Sequence, residues 1–159
     1  MEAIAIASAL LAAVALGLTA GALLVEGAIL VPFWRSLQPA FFLGWYKEHA
    51  GLLLNFFGPL EVAAAVLTIA AAALNWGSQA VSSRLLVVSA VLAVAVLAVF
   101  PLYFQRVNAS FAAGTIGVDR VTEELRRWSS WHWVRTIIAT AAFISAIAAL
   151  MSGAVTPAT

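Results

Sequence analysis

The chain contains no cysteine, so disulfides, thiol nucleophiles and thiolate metal sites are excluded at the outset. Charge is nearly as scarce. Asp, Glu, Lys and Arg make up 9% of the residues against 64% hydrophobic ones, and a mean hydropathy of +1.04 lies outside the range of soluble domains. A formal net charge of +1 leaves no basic surface of the kind that binds nucleic acid. Repeats of fixed period and low-complexity linkers are lacking too, which points to one domain over residues 1–159. What is left is the composition of an integral membrane protein whose partner is the lipid bilayer.

Four stretches are apolar enough for a hydrocarbon core of about 30 Å, which takes roughly 20 helical residues. They cover about residues 3–33, 51–74, 85–104 and 131–151. The first reads as a retained span rather than a secretory signal, since it opens on Glu2 and its apolar run is long. The expected fold is all-α: a transmembrane four-helix bundle, up-down-up-down, Ala-rich and closely packed. Arg35, Lys47, Arg106, Arg120, Arg126 and Arg127 follow the first and third spans, against Arg84 alone on the other side. The positive-inside bias therefore predicts cytoplasmic first and third loops and external termini. In the first loop, "RSLQPAFFLGWYKEH" is too aromatic for a solvated connection. It is expected to rest in the membrane interface or fold over the bundle mouth as a lid. "DRVTEELRR" reads as a short amphipathic surface helix before the fourth span.

Polar side chains within the spans gather at one end. Glu26 interrupts "TAGALLVEGAILVPFW", ~11 Å below a surface near Phe33 and Trp34 at about 1.5 Å of rise per residue. The second span enters with Glu48 and His49 and carries Asn55 and Glu61. The third leaves through Tyr103, Gln105, Arg106 and Asn108, and the fourth enters with His132 and Arg135. Every tryptophan except Trp76 shares that end. An isolated charge at depth costs a few kcal/mol or more, so Glu26 is expected to pair with Arg135 or His132 in a candidate functional site. Structural alternatives stand beside it: Trp34 and Trp45 as interfacial anchors, Arg135 as a neutralising partner only, His49 as an interfacial residue. In "NFFGPLEVAAAV", Pro59 lacks an amide and clashes with the Asn55 carbonyl, so the helix is expected to kink or break at Gly58. Glu61 would then cap a new half-helix or line a cavity there. In an unbroken helix Glu48 and Asn55 share a face and Glu61 points about 120° away.

"FQRVNASF" at the end of the third span and "RRWSSWHWVRTIIATAAF" at the start of the fourth resemble the small four-helix membrane family that includes the anthrone oxygenases. Asn108, Trp128, Trp131, Val134, Arg135 and Thr136 match that family's Asn-containing segment and its Trp-x-x-Trp-Asn-x-Val-Arg-Thr run. "GALLVEGAILVPFW" resembles its Gly-rich first helix. His132 departs from the family's Asn, and Glu26 has no general equivalent there. The resemblance implies the four-helix fold and oxidation of a planar phenol or anthrone by dioxygen, without flavin or haem. On that reading His132 or Glu26 is the general base, and Arg135 and Asn108 donate hydrogen bonds to the developing oxyanion. Trp128, Trp131, Trp45 and Tyr46, with Asn55, would hold the hydrophobic aromatic substrate.

Two other functions compete. His49, His132, Glu26 and Glu61 supply two imidazoles and two carboxylates, a ligand set suited to zinc, iron or copper, although no Glu-x-x-His or His-x-x-x-His pair occurs among them. A non-catalytic accessory subunit would instead pack on a larger membrane complex, or on copies of itself, through its Ala- and Gly-rich faces. An enzyme demands a cavity of several hundred Å³ reachable from lipid or from the loop side, and an accessory subunit a fully packed polar end.

Overall fold

The computed structural model describes residues 2–76 and 81–155. The expected domain over 1–159 also takes in Met1, 77–80 and 156–159, which lie outside the described residues. The first rod of the bundle is α1 (Glu2–Val25), a π-turn (Glu26–Leu30) and α2 (Val31–Ser36). The second is α3 (Pro39–Leu74). The third is α4 (Val81–Val99), a second π-turn (Phe100–Phe104) and α5 (Gln105–Ala113), and the fourth is α6 (Val118–Val155). All four are long and apolar enough to cross a membrane, and no strand occurs among the described residues. Rods adjacent in sequence pack together, and α1 closes the ring against α6.

The rods outrun their apolar cores. At about 1.5 Å per residue each is roughly 50 Å long, well beyond the hydrocarbon thickness. The extra turns correct two expectations. Residues 39–50, expected as an interfacial loop or lid, are the first turns of α3, and the break between helices is confined to Leu37 and Gln38. Proline explains the brevity: the residue before it is driven to extended geometry, as Gln38 is at φ −63° and ψ 143°, and Pro39 then starts the helix where a missing amide costs nothing. Phe42 and Tyr46, one turn apart, bury their rings against Trp34 at 6.0 and 5.8 Å between centroids. "DRVTEELRR" is likewise no separate helix but the opening of α6. Val121 and Leu125 continue the buried line that reaches Trp128, and Glu123, Arg126 and Arg127 stay exposed. The chain reverses before it at Gly114, whose φ of 63° is the left-handed cap that glycine adopts freely.

The expected break at Gly58 is also absent, for α3 runs through Pro59 as one helix. A proline removes a single intrahelical bond, and in an apolar surround the ladder on either side is too costly to give up.

The interior has two halves. One is lined by alanine from all four rods, including Ala12, Ala64, Ala71, Ala93, Ala142 and Ala146, which lets backbones approach closely. Ser89 donates to the Ala142 carbonyl at 2.7 Å and Ser145 to that of Leu85 at 2.8 Å, tying α4 to α6. Such bonds average about 0.6 kcal/mol in membrane bundles, so close packing dominates this half. The other half is aromatic: Trp34, Phe42, Tyr46, Phe104, Phe111 and Trp128 form one buried cluster. The buried charged side chains, Glu26, Glu61 and Arg135, lie beside the aromatic half, with Arg135 over Phe104.

Candidate functional site

Trp128, His132, Arg135 and Thr136 follow the i, i+4, i+7, i+8 spacing that puts them on one face of α6, and all four are buried. Arg135 is 5% exposed. Its Nη2 donates to Glu26 Oε2 at 3.1 Å and its Nη1 to Glu61 Oε1 at 3.2 Å. One guanidinium fork thus clasps the first, second and fourth rods. Its flat face lies over Phe104, with Cζ 4.4 Å from the ring centroid, a cation–π contact that holds the fork from a third side.

His132 lies behind this fork. Its Nε2 is 2.9 Å from the Leu23 carbonyl, and because a carbonyl only accepts, Nε2 carries the hydrogen. Nδ1 is then the acceptor for Arg135 Nη2 at 3.2 Å, with Glu26 Oε2 3.4 Å away. The ring stacks on Trp128, 5.1 Å between centroids at 6°. Gly27 makes room for it: a Cβ there would meet His132 Nε2 at 3.0 Å. With the imidazole neutral, one guanidinium faces two carboxyl groups, and the cluster is balanced once one carboxyl holds a proton.

Glu26, Glu61 and Arg135 form the polar end of a cavity of about 250 Å³ whose other walls include Tyr46, Phe57, Phe100 and Trp128. Asn108 lines it too. Trp128 Nε1–H, a donor only, bonds Asn108 Oδ1 at 2.8 Å and so leaves the Asn108 amide nitrogen as the donating group. The polar end is therefore open to a cavity rather than fully packed.

Several sequence candidates fall elsewhere. Asn55 is exposed on α3, because the unbroken helix turns it away from Glu61. Trp131 is 43% exposed and stacks on Tyr103 outside the cavity, whose hydroxyl donates to Glu124. Trp45 stacks on His49 at 4.2 Å, and His49 Nδ1 bonds the Trp45 carbonyl at 2.7 Å. The four-ligand set of His49, His132, Glu26 and Glu61 is thereby split: His49 is engaged on α3, and Arg135 stands between the carboxylates. Among the described residues no group of three His, Cys, Asp or Glu side chains is arranged to hold a metal. His132 does not line the cavity, which separates it from any substrate there. Conversely, Phe57, Phe100 and Phe104 were missed. Phe100 and Phe104 bracket Pro101 one turn apart, a pattern visible in the sequence that marked a distorted inward-facing turn.

Comparison with curated proteins and with solved structures gave no match. A family model described as anthrone oxygenase matches residues 42–145. That range takes in Tyr46, Glu61, Asn108, Trp128, His132 and Arg135 and leaves Glu26 and Trp34 outside. With well over half of its length matched, the chain belongs to the anthrone oxygenase family.

Proposed function

We propose that the chain oxidises a planar phenol- or anthrone-type substrate with dioxygen at the cavity bounded by Glu61, Arg135 and Asn108. The observation that carries this reading is a single guanidinium shared by two carboxyl groups at the polar end of an aromatic-walled cavity. Anthrone has an acidic CH₂ group opposite its ketone. One carboxylate takes a proton from that carbon, and the electron pair moves into the ring system and onto the ketone oxygen. The carboxylate that accepts the proton then competes less for Arg135, so an N–H is released toward the new oxyanion as the charge develops there. The Asn108 amide supplies a second donor. The carbanion hands its electrons to dioxygen and a C–O bond forms, giving a hydroperoxide after protonation. Loss of the second C–H proton with O–O cleavage expels water and leaves a quinone. One oxygen atom thus enters the product and the other leaves as water.

Glu61 is the better base of the two. Glu26 Oε2 faces both Arg135 and His132, whereas the Glu61 carboxylate is engaged by Arg135 alone. His132, expected as a base from the sequence, becomes a positioning residue that orients Arg135. The test is oxygen uptake and quinone formation from anthrone by the protein in lipid nanodiscs. Glu61→Gln keeps an acceptor for Arg135 but removes the base, and should lower kcat by about 10²–10⁴-fold. Wild-type turnover in Glu61→Gln would remove the carboxylate base from the mechanism. No quinone from the wild-type protein would remove the oxygenase reading itself.

A further inference from the structure

Tyr46, Leu54, Phe100 and Asn108 wall two cavities, not one. Beyond the inner chamber lies a second space of about 380 Å³ between α3 and α5, completed by Ala50, Gly51, Gln105, Ala109 and Ala112. The two chambers share Tyr46, Leu54, Phe100 and Asn108 as walls, with Arg135 and the two glutamates on the far side of the inner one. The outermost walls are small residues, and small residues on facing helices would normally allow close contact. Here they flank a gap. A Cβ built on Gly51 meets nothing within 4 Å. Leu54 is 55% exposed, and Gly51 and Ala109 are exposed, so the gap opens on the side of the bundle, at the level where the apolar run of the third rod gives way to Gln105 and Asn108.

We infer that the substrate is an extended amphipathic molecule admitted laterally from the bilayer between α3 and α5, its polar ring at Arg135 and its apolar remainder in the outer chamber. This rests on the reading of Arg135, Glu26 and Glu61 as the polar anchor of the substrate. The size of the inner chamber supports it, since about 250 Å³ falls below the 300–1,000 Å³ of ordinary ligand sites, whereas the two chambers together fall within that range. Tyr46 and Phe100 belong to both chambers and are placed to contact the rings at the junction. Gly51 and Ala109 then set how wide and how long the rest of the molecule is.

The test uses two coloured probes, 1,8-dihydroxyanthraquinone and the same compound carrying a hexyl chain, with binding to the full chain in nanodiscs read by quenching of tryptophan fluorescence. Gly51→Phe and Ala109→Phe should each weaken the hexyl probe at least tenfold. Gly44→Phe, on the same helix with equally open space around its Cβ, should leave it within twofold. Arg135→Lys, which keeps the charge but not the two-armed fork, should weaken both probes. Unchanged binding of the hexyl probe in both outer-chamber variants overturns lateral admission, and if Arg135→Lys still weakens binding the inner site stands without it. Loss of the hexyl probe in the outer-chamber variants with no effect of Arg135→Lys makes the outer chamber an acyl-chain groove and overturns both readings. Should Gly51→Phe fail to fold, Ala109→Phe at its exposed position decides alone.

Discussion

Replacing Arg135 with methionine keeps the apolar stem of the side chain and removes the one cation that faces Glu26 Oε2 at 3.1 Å and Glu61 Oε1 at 3.2 Å. Both carboxyl groups are 5% exposed, so neither can turn to water for compensation. Breaking a buried ion pair from one side costs about 3–5 kcal/mol, because the orphaned charge stays buried. For a chain of this size that corresponds to a fall in Tm on the order of 10 °C. Glu26→Gln is much milder. Its amide oxygen still accepts from Nη2 and the cluster reaches charge balance, so the expected cost is about 1 kcal/mol or less. In the Arg135→Met background the same change should be stabilising, since it removes half of the uncompensated charge. The double-mutant cycle should therefore return a coupling energy of about 1–3 kcal/mol. Unfolding followed by tryptophan fluorescence in detergent gives all four corners of the cycle. Additivity within about 0.5 kcal/mol would refute the direct pair.

The remaining expectations concern what supports the fork. Gly27→Ala pushes a methyl to 3.0 Å from His132 Nε2 and strains its bond to the Leu23 carbonyl, so it should cost about 1–3 kcal/mol. Gly21→Ala, where a Cβ meets nothing, should be neutral or slightly stabilising by the same melting assay. His132→Asn is too short to reach both Leu23 and Arg135, and losing one partner should lower stability by about 1–3 kcal/mol. Metal analysis of that variant beside the wild type should show no difference, and stoichiometric metal lost on substitution would restore His132 as a ligand.

Scarcity of charge is what made the site legible. In a chain with so few ionisable residues, a glutamate and an arginine within apolar runs must find each other, and Glu26 and Arg135 do. The face of α6 that bears Trp128, His132, Arg135 and Thr136 could be read from helical spacing alone. Glu61 was harder to place, because Pro59 pointed to a break that the continuous helix does not make. Helix ends were hidden for a different reason. Hydropathy marks where lipid contact stops, but α3 and α6 continue past that point because Phe42, Tyr46, Val121 and Leu125 bury one face against Trp34, Phe111 and Trp128, a tertiary effect. Helical phase, once the helix is known to be unbroken, decides which of the two polar residues on α3 faces the cavity. Asn55 and Glu61 are alike in sequence context, yet one is exposed and the other buried.

The two π-turns explain why the fork sits where it does. A helical proline lacks an amide and crowds the carbonyl four residues back, and a widened turn relieves that crowding. One such turn precedes Pro32 and the other contains Pro101, with the Val31 amide reaching the Glu26 carbonyl and the Gln105 amide that of Phe100. In a regular helix Gly27 would continue the inner line of Leu16, Ala20 and Leu23, and Glu26 would sit at the edge of that face, in line with Thr19. In the widened turn both are buried, so the carboxylate reaches Arg135 while the glycine admits His132 beside it. The second turn bears Phe100 on the cavity wall and Phe104 beneath the guanidinium. Arg135 is thus fixed by Phe104, His132 and Glu26 without any help from a bound molecule. Under the proposed reaction, its contact with Glu61 is the one that proton transfer from the substrate would release, and a donor held in place before charge appears is what stabilises an oxyanion most.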